Sequence, residues 1–204
     1  MGISVNSGNN EVLEQARARQ KAAAEAKAKA EESKNTAATK SSDADAISTT
    51  KDTAYSEASA AAEKENADVT AAQEKVNSAN VRVSTAQSSY QNANTQLAQA
   101  QNQLSSAQAS GDEKAIASAK AAVASAQQIV ESTYQELQNA QAEATEAQAQ
   151  LDKEVQEANE AQQKANIAKT EAEQAKKDAE TAKAELEKAD TALTAAAKEL
   201  ETAE

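Results

Sequence analysis

The chain has 204 residues, a net charge of −12, and no Phe, Trp, Cys, His or Pro. A length of this order ordinarily makes one or two compact domains, but only 1% of the residues are aromatic and alanine is the commonest apolar type, so a conventional globular core is excluded. The same composition excludes imidazole bases, thiol nucleophiles, a disulfide framework and the usual zinc sets, and the acidic balance argues against nucleic acid as a partner.

What remains is strongly helix-forming: Ala, Gln, Glu and Lys dominate, with only three Gly. Periodicity decides between a long helical assembly and disorder. In chain order, the segment 1–10, MGISVNSGNN, reads as flexible. It has neither the basic nor the apolar region of a cleavable signal peptide.

Helix 1 is expected over 11–109. Its first heptad places Leu13 at a and Ala16 at d, with Val12 beside them. These three have no counterpart in the second half of the chain, so they are expected to form an exposed end that docks on another subunit or on further heptads. The next a slots are polar: Gln20, Lys27, Lys34, Ser41 and Ser48. The intervening d slots are Ala23, Ala30, Ala37 and Ala44. Residues 33–53 are mostly Ser, Thr, Asn and Asp, whose side chains compete with the backbone for hydrogen bonds. This stretch is expected to be the softest, either a frayed or kinked helix or a loop.

From Tyr55 onward the grid becomes apolar. Val69, Val76, Val83, Tyr90, Leu97 and Leu104 fall on one seven-residue spacing, with Ala at nearly every position three residues later. Glu65 is the exception among those d slots. These are a and d positions of a coiled coil, and a strict seven over this length implies a left-handed supercoil.

The run Ser110-Gly111-Asp112-Glu113 interrupts the grid. Gly111 suits the left-handed residue that ends a helix, and Asp112 suits the N-cap of the next. A turn over 110–113 forces antiparallel neighbours.

Helix 2 is expected over 114–203. Ile116, Val123, Val130, Leu137, Leu151, Leu186, Leu193 and Leu200 hold a, with alanines in the slots between. Thr133 and Glu154 interrupt the alanines at d, and Val155 and Ile167 are the main large residues off the grid. In an antiparallel pair, a faces d. Folding the chain at Gly111–Asp112 sets Leu104 against Ala119, Leu97 against Ala126 and Val76 against Ala147. Grid and turn chemistry therefore place the same fold-back independently. The predicted fold is all-α: a long antiparallel two-helix coiled-coil hairpin with an alanine-rich seam, able to associate laterally or end to end. Tyr90 is expected beside Thr133 and close to Tyr134, as a local aromatic pair.

Charge is segregated along this hairpin. Residues 83–111 carry no charged side chain and 115–130 carry only Lys120. This neutral half permits lateral association or a polar protein contact. The carboxylates elsewhere read as solvated surface, because raised pKa values need burial. No cofactor, metal or small-molecule substrate is expected, and no apolar run approaches the ~20 residues of a membrane span.

The stretch AQSSYQNANTQLAQAQNQLSSAQASGDEKAIASAKAAVASAQQ, within 84–153, resembles the Ala/Gln-rich coiled-coil arm of type III secretion translocators, a group of bacterial invasins. The start, with Ile3, Ser4, Val5, Asn6 and Ser7, is similar to the uncleaved Ser/Asn-rich leader of type III substrates. Translocators also carry membrane-inserting helices, which this sequence lacks, so the resemblance implies the arm alone. The sequence thus points to a non-enzymatic structural coiled coil, a subunit of or spacer in a bacterial filament or surface or secreted assembly. The alternative is an interaction arm of a translocator, toxin or adhesin. The expected partner is protein, a second copy or one other chain, outside the cell or at its surface.

Overall fold

In the computed structural model the described residues are 6–203, with side chains described from residue 10 onward. Two helices account for them: α1, Asn6–Ser110, and α2, Glu113–Ala203. Among the described residues there is no cis peptide bond, and Gly111 is the one with positive φ, at 70°. The expected flexible segment 1–10 is thus helical from Asn6, and its first five residues lie outside the described residues.

The turn follows from its two specialised residues. Gly111 takes the left-handed conformation that a Cβ disfavours, and its N–H donates to the Gln108 carbonyl at 3.3 Å. The Asp112 carboxylate then accepts from the N–H groups of Lys114, at 2.9 Å, and Ala115, at 3.2 Å. Those are two of the four donors that a helix N-terminus leaves without partners. The Asp112 carbonyl accepts the first regular helical bond, from Ile116 at 2.9 Å.

Burial follows the heptad grid. Every a and d slot from Ala23 to Ala107 in α1, and from Ile116 to Ala203 in α2, is buried or half-buried. The deepest are mostly alanines, such as Ala93 at 2% exposure and Ala62 at 3%. Val76, Leu137 and Leu151 are the only larger apolar residues described as buried. Long side chains at a reach past the edge of a two-stranded seam, so one flank of each stays wet, whereas an alanine is covered by the facing helix.

The hairpin divides into two compact units, each holding one stretch of α1 and one of α2. The turn unit comprises Ala60–Gln162. Its packed centre is Ala72, Val76 and Leu151, with Val69 and Ala147 against them, which places Val76 and Ala147 together as the fold-back requires. Tyr90 and Tyr134 meet in the same unit with ring centres 5.5 Å apart, tilted by 45°. Such a pair adds about 0.5–1.5 kcal/mol to area burial. Thr133 sits in the seam beside them because its hydroxyl donates to the Ile129 carbonyl, at 2.8 Å, so no polar group goes unmatched there.

The terminal unit combines the residues up to Ser59 with those from Gln163 onward. Residues 33–53, the stretch expected to be soft, are α-helix throughout. Their hydroxyls bond within the helix: Thr36, Thr39, Thr49, Thr50 and Thr53 each donate to the carbonyl four residues earlier, at 2.9–3.1 Å. Hydroxyl groups used in this way are taken up within the helix instead of diverting its backbone, at a slight cost to helix stability. Ser41 occupies its a slot at 6% exposure.

Candidate interaction surfaces

The seam fixes which side chains reach the two flanks. On a helix wheel a lies next to e, and d lies next to g. Large residues at a therefore fill the flank lined by e positions of both helices, and alanines at d leave the g flank hollow. Two grooves of the molecule lie there. In the turn unit, Ala86 and Ala140 floor a groove walled by Arg82, Ser89, Glu136 and Glu143. In the terminal unit, Ala37 and Ala189 floor another, with Lys40 and Glu185 at its rim. Both are open depressions between helices.

Charged side chains sit on both flanks in matched pairs. In the terminal unit Lys40 pairs with Glu185 at 4.0 Å across the g flank. Asp45 pairs with Lys183 at 2.9 Å, and Asp52 with Lys176 at 3.0 Å, across the e flank. Lys34 and Lys51, which occupy seam slots, turn outward to Asp190 at 2.5 Å and Glu171 at 2.7 Å. In the turn unit the ion pair described between helices is Arg82 with Glu143, at 2.5 Å across the g flank. The g–g and e–e pairs all obey the register that brings Val76 to Ala147. Electrostatics and apolar packing therefore agree on one alignment.

The two acidic exceptions at d prove to be neighbours. Carboxylate oxygens of Glu65, Asp68 and Glu154 lie within 4.8 Å of one another. Lys64 stands alongside, 3.4 Å from Asp68 and 3.9 Å from Glu65. Its ammonium is held above the ordinary lysine value, first by the hydrogen bond to Asp68 and then by the charges of Asp68 and Glu65. Lys153 is raised in the same direction by its hydrogen bond to Glu157 and that group's charge. Glu154 also accepts a hydrogen bond from Gln150. The sequence shows the two interruptions separately; only the fold-back brings them together.

Val12 and Leu13 are exposed, at 66% and 55%, and Ala16 is exposed as well. The same fold-back sets Arg19 against Glu204, and Glu204 lies outside the described residues. Tyr134 is 44% exposed while Tyr90 is half-buried, so the aromatic pair shows one ring to solvent. Val155 and Ile167, the residues off the grid, are exposed, and so are Ile47, Val81 and Ile129, which sequence reasoning passed over. Val81 is at f, directly away from the seam. These residues are scattered singly over different faces, which is ordinary for a protein surface.

Comparison with protein-family models, curated proteins and solved structures gives no match. No described helix is long and apolar enough to cross a membrane. The molecule's chemistry is thus that of surfaces: an alanine-floored flank, a neutral half and a charge-paired half.

Proposed function

We propose that this chain is a non-enzymatic structural coiled coil, a subunit of or spacer in a larger protein assembly of the filament or surface-appendage kind. The observation that carries this reading is the distribution of burial. All buried side chains described lie on the a/d seam, and the grooves beside it are open and lined by solvated groups. A chain organised in this way commits its apolar side chains to holding two helices together and keeps its outer faces for contact.

Charge segregation supports self-association as the mode of contact. A net charge of −12 makes copies repel. Residues 83–111 and 115–130 carry one charged group between them, so two copies approach there at the lowest Coulomb cost. Exposed Ile129 and Tyr134 lie in or beside this half and offer apolar contact. The second reading, an interaction arm that binds a different protein, rests on the likeness to translocator arms and on the same neutral surface.

Sedimentation over a concentration series, with electron micrographs of the same samples, tests the proposal. Mass that grows with concentration and particles that join are the expected result. The matching variant is Gln96→Glu with Gln103→Glu, Gln127→Glu and Gln128→Glu, which charges the neutral half and is expected to abolish association. Single particles of fixed mass at all concentrations overturn self-association and leave the interaction arm.

A further inference from the structure

The terminal unit carries a device that the seam alone does not require. Its stretch of α1 offers Lys27, Lys34, Ser41 and Ser48 at a, where a stable coiled coil places apolar groups. The facing stretch of α2 is apolar, with Leu186, Leu193 and Leu200 at a and alanines at d. The two strands are therefore unequal. Large apolar side chains on α2 meet Ala37, Ala30 and Ala23 by register, with no large apolar residue on α1 to interlock with them.

Five of the six ion pairs described between helices fall in this same unit: Lys34–Asp190, Lys40–Glu185, Asp45–Lys183, Lys51–Glu171 and Asp52–Lys176. They span residues 34–52 of α1 and 171–190 of α2, the layers where the apolar seam is thinnest. Their side chains remain about 40–65% exposed, so mobile ions reach them.

We infer that the terminal unit is an electrostatic clasp: screening its ion pairs opens the α1–α2 contact there and frees the Leu186–Leu193–Leu200 edge of α2, while the turn unit stays closed on its apolar seam. One exposed pair shifts an equilibrium by only about 1.4- to 5-fold. Five in succession, on both flanks of a polar seam, give a cooperative segment whose closure follows ionic strength. Local opening of this kind is confined to contiguous units of low apolar contact, which the terminal unit is and the turn unit is not. Strong salt does not loosen apolar packing. The two units therefore respond differently to the same change.

Amide hydrogen exchange of the full chain, resolved by segment, tests this at about 0.01 M and about 1 M NaCl, where the screening length falls from about 30 Å to about 3 Å. Residues 34–52 and 171–190 are expected to exchange about tenfold faster or more in high salt. Residues 72–104 and 119–151 are expected to change by less than about twofold. Lys183→Glu sets like charges opposite Asp45 and is expected to reproduce the fast exchange at low salt. Adding Asp45→Lys restores the pair in reverse and should return exchange to its original rate, which a loss of helix propensity would not do. Salt-independent exchange in the terminal unit, equal acceleration in both units, or failure of the reversed pair to rescue would each overturn the clasp.

Discussion

The two units reach the same backbone arrangement by different physics. In the turn unit, Val76, Leu137 and Leu151 are buried among alanines, and a single ion pair between helices is described. In the terminal unit the buried residues described are alanines and Ser41, and five ion pairs bridge the strands. Large residues at a supply area, roughly 1.5–3 kcal/mol for each Val or Leu taken fully from water. Exposed ion pairs supply alignment more than energy. The comparison teaches that a heptad grid does not need apolar residues in every a slot to be followed, provided charges on the flanks hold the register where apolar packing does not.

The largest expected effect separates the units most cleanly. Leu137→Ala removes a side chain at 5% exposure and is expected to cost about 2–4 kcal/mol. Leu193→Ala, at a half-buried slot in the terminal unit, is expected to cost about half as much. Urea midpoints read from segment-resolved hydrogen exchange measure both. Equal costs would mean that the two seams are equally packed.

A second change probes closeness rather than area. Ala126 is 6% exposed against the facing helix, and Leu97 is the residue that register brings there. Ala126→Leu forces extra volume into this layer and is expected to destabilise by about 1–3 kcal/mol. A raised melting temperature would show a wider spacing of helices than alanine at d implies.

The smallest expected effect is stabilising. Glu154→Ala removes one of three converging carboxylates and restores alanine to a d slot opposite Val69. It is expected to add about 0.5–1 kcal/mol, as surface-charge optimisation commonly does. Thermal unfolding at low salt reads the gain, which should shrink at high salt as screening weakens the original repulsion. A loss of stability would assign the carboxylate group a supporting role.

Much of this architecture is legible in the sequence because its signals are periodic and local. Tyr55 to Leu104 and Ile116 to Leu200 keep a spacing of seven, and Gly111-Asp112 carries turn chemistry that needs no tertiary information. The Tyr90–Tyr134 contact follows from register alone. The behaviour of residues 33–53 is not legible in the same way. Ser and Thr there read as competitors for the backbone, yet their hydroxyls bond to the preceding turn, and Lys40, Asp45 and Asp52 find partners more than a hundred residues away. Charge pairing at e and g emerges only once a/d has fixed the alignment. The carboxylate group at Glu65 and Glu154 is hidden for the same reason. Among interaction residues, Val12 and Leu13 are exposed, and Val81 and Ile129 have no periodic signature to mark them.

The single alignment of the hairpin is tested most directly by paired cysteines, since the chain has none of its own. Val76→Cys with Ala147→Cys sets two thiols in one seam layer. Val76→Cys with Glu154→Cys moves the second thiol one heptad along, about 10 Å down the helix axis. A disulfide requires Cα atoms within about 4.4–6.8 Å. Mild oxidation of dilute protein is expected to close the first pair rapidly within single chains and to leave the second reduced. Closure of the second pair at an equal rate, or linkage of the first only between chains, would contradict an antiparallel hairpin in this register.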